Sequence, residues 1–215
     1  YNMDHYKETS ETWNKLATRY EERFMDLDLY NDTYDHICNS IKKPNGRILE
    51  IGCGPGNITK YLLSKRPDFD IFGIDIAPNM IELAKKNNPS ARFAVMDCRQ
   101  IDKLKDKYDG IVCGFCLPYL SQADSRKFIA DCYSLLNEGG LIYISFVEGD
   151  PNKSGFQVSK SGDRSYFYYY QLDELKKNLI ESDFGVLTVF KVEYTNSANQ
   201  IDFHTIISAN KNTLV

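Results

Sequence analysis

Arg47-Ile48-Leu49-Glu50-Ile51-Gly52-Cys53-Gly54-Pro55-Gly56 is the stretch on which the fold turns. A short, strand-like apolar run ends in three glycines within five positions, and a helical segment starts near Asn57. Glycine is needed where the backbone must turn sharply and approach a ligand closely at a helix N-terminus. The dinucleotide fingerprint G-x-G-x-x-G would place its third glycine at position 57, where this chain has Asn57; the glycine stands at Gly56 instead. The loop therefore suits a nucleoside with an amino-acid tail better than a pyrophosphate.

Outward from the loop, short apolar runs ending at Gly52, Asp75, Asp97 and Cys113 read as buried strands. Ile58 to Lys65 and Pro78 to Lys86 read as the helices between them. Such alternation implies a parallel sheet with helices on both faces. The second strand ends in Asp75, about twenty positions past the loop, where a carboxylate can accept hydrogen bonds from both hydroxyls of a ribose. The third, Ala91 to Met96, delivers Asp97 and Cys98 to the place where an adenine amino group would lie. A longer helix carries Phe128, Ile129, Cys132, Leu135 and Leu136 on one face, and the spacing predicts that it stops at Gly139-Gly140. Leu141 to Val147 is the fifth strand. After a helix from about Asp173 to Ser182, Val186 to Tyr194 and Ile201 to Ser208 form two strands joined only by Thr195 to Gln200. That connection is too short for a parallel crossover, so the pair is antiparallel.

The chain of 215 residues, 42% of them hydrophobic, shows no internal repeat and no linker. It reads as one domain, 1–215. Ahead of the first strand, Trp13, Leu16, Ala17, Tyr20 and Phe24 recur at helical spacing, as do Tyr34, Ile37, Cys38 and Ile41, until Pro44-Asn45-Gly46 closes this preface (1–43). No apolar stretch has the length of a membrane span, and the N-terminus lacks the layout of a signal peptide. A net charge of −4 and a pI near 5.5 argue against a general nucleic-acid binder. The six cysteines lie mostly in apolar runs and do not form a disulfide framework, which points to a reducing, cytoplasmic setting. Cys113-Gly114-Phe115-Cys116 has C-x-x-C spacing, but zinc would want a second pair and a redox site would sit near an early strand; both cysteines read as packing residues. His5, His36 and His204 have no metal-ligand spacing and read as structural or solvated. No metal site is expected.

Ile48 to Gly56, with Gly73-Ile74-Asp75-Ile76-Ala77-Pro78-Asn79-Met80, resembles the first two motifs of class I S-adenosylmethionine-dependent methyltransferases. Met96-Asp97-Cys98 resembles the third, Lys107-Tyr108-Asp109-Gly110-Ile111-Val112-Cys113 the fourth, and Leu135-Leu136-Asn137-Glu138-Gly139-Gly140 the turn before the fifth strand. The resemblance runs in order through most of the chain. It implies an α/β, Rossmann-like, doubly wound sheet of seven strands, mostly parallel with an antiparallel last strand. The preface would be a helical lid, 46–147 the cofactor-binding core and 148–215 the acceptor side. S-adenosylmethionine is the implied cofactor. Glu50, Gly52, Cys53, Gly54 and Gly56 would surround its methionine part, Asp75 its ribose, Ile76 and Met80 its adenine face, and Asp97 and Cys98 the adenine edge. Cys113-Gly114 would face its amino group with Phe115 beside the sulfonium, and Tyr20 would fold over the whole.

The acceptor pocket is expected over the carboxyl ends of the fourth and fifth strands, at Phe115, Pro118, Tyr119 and Glu148. Glu148 and His204 are weak candidates for a base; the expected mechanism is in-line displacement driven by proximity and desolvation. The run Tyr166-Phe167-Tyr168-Tyr169-Tyr170 reads either as packing against the preface or as an aromatic wall for an acceptor. A nicotinamide-dependent oxidoreductase is disfavoured by Asn57 and the antiparallel final pair; a non-catalytic cofactor binder has no residue against it. No Asn-Pro-Pro-Tyr type motif follows the fourth strand, which favours a small-molecule acceptor over RNA or protein, and no membrane partner is expected.

Overall fold

The computed structural model describes residues 4–196 and 198–213. Three helices come first: α1 (His5–Lys15), α2 (Ala17–Phe24) and α3 (Asn31–Ser40). Strands and helices then alternate through β1 (Arg47–Ile51), α4 (Asn57–Lys65), β2 (Asp70–Asp75), α5 (Pro78–Asn87), β3 (Arg92–Val95) and β4 (Tyr108–Cys113). α6 (Gln122–Leu135), β5 (Leu136–Val147), β6 (Gly155–Val158), β7 (Arg164–Phe167), α7 (Leu172–Glu181), β8 (Phe184–Thr195) and β9 (Ile201–Lys211) complete the chain. Local chemistry sets several starts. Pro78, with its fixed φ, opens α5, and the Ser121 hydroxyl accepts from Asp124 N to cap α6.

Seven strands form one sheet in the order β3-β2-β1-β4-β5-β9-β8. β1 to β5 are parallel, and β9 is antiparallel to both β5 and β8. This is the expected doubly wound, Rossmann-like sheet with its reversed strand. The alternation of strand side chains divides the core. Ile48, Ile71, Val112 and Tyr143 pack with Ile37 of α3 and Leu62 of α4 on one face. Leu49, Ile74, Ile111 and Ile142 pack with Phe128 of α6 and Leu179 of α7 on the other. Each fully buried aliphatic contributes about 1.5–3 kcal/mol. Because β1 sends the chain one way to β2 and β3 and the other way to β4 and β5, a crevice opens beyond the carboxyl ends of β1 and β4.

Two local readings need correction. The preface stripe from Trp13 to Phe24 is two helices, broken at Leu16 (φ −91°, ψ 6°). α6 ends at Leu135, before Gly139-Gly140: Leu136 is already extended and pairs with Tyr108. Gly139 (φ +71°) serves a kink within β5, not a helix cap. The carbonyls at the end of α6 are satisfied by cations instead, Lys211 Nζ donating to Tyr133 O and Leu136 O at 3.0 and 3.1 Å and Lys107 Nζ to Ser134 O. β6 and β7 form a separate antiparallel hairpin against α1 that no sequence pattern had indicated. Thr12 Oγ1 donates to Arg164 O (2.6 Å), Tyr166 N to Thr9 Oγ1 (2.9 Å), and Arg164 forks onto Glu8. Ser197, in the β8–β9 connection, lies outside the described residues, and no described helix is long and apolar enough to cross a membrane.

Candidate active site

The carboxyl ends of β1, β2 and β4 open into a cavity of about 360 Å³, roofed by α1 and α2. The glycine loop forms its floor. Gly52 has φ +66°, and a Cβ there would stand 2.9 Å from Cys116 Cβ, so only glycine lets the loop pass beneath that cysteine. Gly56 (φ +83°) does not line the cavity, contrary to its expected place. A Cβ on it would stand 2.3 Å from Asn88 Nδ2, which donates to Gly56 O (2.9 Å); its task is to seat the start of α4 against the end of α5.

Two carboxyls, Asp75 half-buried and Glu50 buried, rise beside this floor. Asp75 Oδ2 accepts from Gly54 N and its Oδ1 from Ala77 N, both at 2.9 Å, so the residue that ends β2 also shapes the loop. A carboxylate has about four acceptor positions, which leaves lone pairs for two ribose hydroxyls. Burial raises the Asp75 carboxyl above its ordinary range despite those backbone donors. Glu50 is 1% exposed; Thr59 Oγ1 donates to its Oε2, while Oε1 is buried without a partner. Burial pushes its carboxyl up to about 8, against the hydrogen bonds from Thr59. A buried orphan oxygen on the cavity wall calls for a donor, and an ammonium group supplies one. Trp13 Nε1 is a second buried orphan on the wall and calls for an acceptor.

At the β2–β3 end the wall consists of Ile76, Met80, Met96, Asp97 and Cys98, as expected for an adenine slot. Asp97 caps the following 3-10 turn and holds Arg99, whose Nη2 lies 2.6 Å from Oδ2. Burial works to raise the Asp97 carboxyl, but the hydrogen bonds from Arg99 outweigh it and hold it below the usual range. Cys98 and Cys116 place their sulfurs 3.6 Å apart. Cys113 is fully buried within the sheet and forms no part of the wall; Gly114 and Phe115 do. Phe115 has φ +55°, a left-handed conformation that costs a bulky residue strain, and Ser145 Oγ accepts from its N–H at 2.8 Å to hold it. Tyr20, from α2, also lines the cavity, and its ring stands 3.6 Å from where a Cβ on Gly54 would be.

Beyond Phe115 the cavity turns aromatic. Pro118 and Tyr119 line it, as expected; Glu148 does not. Strand alternation puts Val147 on the wall and turns Glu148 away, onto Lys191 Nζ and Thr205 Oγ1 at 2.9 Å each. The same period of two resolves the aromatic run. Tyr166 and Tyr168 pack on His5 of α1, with His5 Nε2 2.7 Å from Tyr168 Oη, whereas Phe167 and Tyr169 face the cavity. Sequence reasoning missed Tyr30, Tyr194 and Asp202 on the far wall; His204, read from the sequence as a weak candidate for a base, stands with them. His204, expected to be structural or solvated, has Nδ1 2.6 Å from Tyr30 Oη. Alternation along β9 puts Asp202 and His204 on one face and could have found the pair; nothing local announces Tyr30.

Residues 48–140 match a family model described as a methyltransferase domain. Among relatives, the tRNA N(3)-methylcytidine methyltransferase of Schizosaccharomyces pombe is 25% identical over 88% of this chain and 85% of its own length. A malonyl-[acyl-carrier protein] O-methyltransferase of Paenibacillus is 36% identical over 49% of this chain and 40% of its own length. Three of the relatives are covered over only 23% to 40% of their lengths. Among solved structures, the magnesium protoporphyrin IX methyltransferase of Synechocystis with bound S-adenosylmethionine shares the fold, with a TM-score of 0.72, 16% identity and 98% of both chains covered.

Proposed function

We propose, from the premise that this chain belongs to the class I S-adenosylmethionine-dependent methyltransferases, that it methylates a small acceptor that carries no negative charge. The observation that supports this reading is the lining of the cavity. Arg99 is the only Lys or Arg among its described residues, it is spent on Asp97, and the acceptor half is walled by aromatic rings. Phosphate and carboxylate acceptors need a free cation to replace their water.

Glu50 would receive the cofactor's ammonium group, Asp75 its ribose hydroxyls, and Ile76 and Met80 its adenine. When bound, the cofactor supplies a methyl carbon made electrophilic by a sulfonium. Phe115 and Tyr20 would shield that position from water, and Pro118, Tyr119, Phe167 and Tyr169 would hold a flat acceptor in line. Well-aligned reactants contribute roughly 7–11 kcal/mol. The chain reads as one unit, with lid, cofactor core and acceptor side all giving side chains to one cavity.

The tRNA-modifying relative favours a second reading, an RNA acceptor. RNA binding rests on phosphate contacts from Lys and Arg, which this cavity lacks. Incubation with methyl-labelled cofactor and three fractions of a cell extract — metabolites, total tRNA and protein — separates the readings. Label in the metabolite fraction is expected; label confined to tRNA overturns the small-acceptor reading.

A further inference from the structure

His204 lies at the far wall of the cavity with its ring enclosed by others. It stacks on Tyr194 at 4.6 Å and 15°, and Phe115 stands 4.8 Å away. Its Nδ1 meets the hydroxyl of Tyr30, which enters from the α2–α3 connection and is itself 7% exposed. None of the described groups hydrogen-bonds to Nε2, yet the ring lines the cavity. His204 is thus engaged at one nitrogen from behind while its ring lines the cavity, and the direction of the Tyr30 hydrogen bond decides which nitrogen carries the proton. Phe115 ties it to the reaction centre, since that residue follows Gly114 at the end of β4 and touches His204 directly.

We propose that His204 Nε2 accepts the proton that the acceptor loses on methylation, with Tyr30 as the positioning residue that takes the Nδ1–H hydrogen bond. The proposal rests on the methyltransferase reading above. The step balances without a further reactant. The acceptor's O or N forms a bond to the methyl carbon as the C–S bond breaks with its electron pair going to sulfur. The acceptor's proton then passes to Nε2, and the resulting imidazolium returns it to water when the products leave.

The surroundings of the ring fix the class of acceptor. The titratable and charged groups that face His204 are Tyr30 from the α2–α3 connection, Tyr194 from β8 and Asp202 from β9 itself. Burial pushes the imidazole down to about 4, against the opposing pull of Asp202, so the ring is neutral at pH 7 and free to accept. So weak a base cannot strip an alkylammonium. It can take a proton that becomes strongly acidic as the methyl group bonds, as on an aromatic hydroxyl or a ring N–H. Together with the aromatic walls of Tyr119, Phe167 and Tyr169, this names neutral, flat acceptors bearing such a group and excludes aliphatic amines; the lack of a free cation excludes carboxylates.

Two measurements test it. In the first, the full chain carrying ¹⁵N-histidine is saturated with S-adenosylhomocysteine and observed by NMR at pH 7. A neutral His204 ring protonated at Nδ1 is expected, converting to a tautomer mixture in Tyr30→Phe. An Nε2–H tautomer, or a doubly protonated ring at pH 7, overturns the proposal without any substrate being known. In the second, phenol, catechol, 2-hydroxypyridine, benzoate and propylamine are offered with labelled cofactor. Methylation of the hydroxylated rings is expected, with His204→Asn lowering kcat by about 100-fold or more while S-adenosylhomocysteine affinity stays within about 3-fold. Equal turnover by wild type and His204→Asn overturns the role of His204 and leaves methyl transfer standing. Failure of the folded chain to bind S-adenosylhomocysteine instead removes the methyltransferase reading itself.

Discussion

On the proposed reading, Glu50 would be both a binding group and a proton store. Its carboxyl is raised to about 8 by burial, so it is protonated in the free protein at pH 7 and must ionise to meet an ammonium group. Binding of S-adenosylhomocysteine is therefore expected to release close to one proton. Affinity should rise by up to tenfold per pH unit below about 8 and level off above it. Calorimetry in two buffers of different ionisation enthalpy counts the protons; a count of zero across pH 6–7 rules out the assignment. Asp75 offers a second test at this scale. Asp75→Ala removes charge-assisted hydrogen bonds worth about 1.5–3 kcal/mol, so binding should weaken roughly 10- to 150-fold. Since Asp75 also holds Gly54 and Ala77, part of that loss is expected as a lower Tm of the free protein. His204 gives the stability of the free protein a pH dependence of its own. Its folded pKa lies below its unfolded value of about 6.5, so the unfolded chain binds more protons between the two. That contribution is present above about 6.5 and lost as pH falls through 4. Urea unfolding of wild type and His204→Asn should diverge in slope within this window, and parallel curves would show the ring to be solvated.

At the scale of elements, the order and direction of the strands were legible because apolar runs, glycine turns and one short connection each have a direct geometric consequence. Two boundaries were not. Gly139-Gly140 looked like the end of α6, but Lys211, seventy-two residues beyond Gly139 in the chain, caps that helix through space, and no local pattern can announce it. Lys211→Met should therefore destabilise the fold by roughly 1–2 kcal/mol, more than an average surface change. A urea midpoint equal to wild type would return the capping to Lys107 alone. The site divides in the same way. Glu50, Gly52, Gly54 and Asp75 reach the cavity wall because they stand at or beside strand ends at fixed spacing. Glu148 was misplaced by one position, the distance that turns a strand side chain to the opposite face. Tyr30 and His204 meet across 174 positions of sequence, a contact that only the closed sheet creates.

For the whole molecule, the question is how the cavity opens. α1 and α2 belong to no strand-helix unit of the sheet, yet Trp13 from one and Tyr20 from the other meet edge-to-face at 5.8 Å over the cavity, and Trp13 reaches Tyr119 at 5.6 Å. If this roof moves to admit a ligand, a bound ligand adds contacts that hold it down. Saturation with S-adenosylhomocysteine should slow proteolysis within residues 4–41 more than elsewhere. Tyr20→Ala should lower turnover more than it lowers stability. Cleavage indifferent to the ligand would show that the roof is fixed and that entry lies elsewhere.

The reversed direction of β9 has a consequence of its own. Every parallel strand brings its last residues to the ligand rim, but β9, running the other way, brings its first, Asp202 and His204. The connection from β8 to β9 therefore leaves the strands at the end that carries Tyr194, Asp202 and His204 to the cavity, beyond the last pair of the ladder, Thr195 with Ile201. Residues can be gained or lost at 196–200 without shifting the pairing of Ile142 with Ala209 deep in the sheet. On the proposed reading the chain would carry an adjustable sill: a change of length in this one turn would alter the threshold that an acceptor meets and leave the strands behind it untouched.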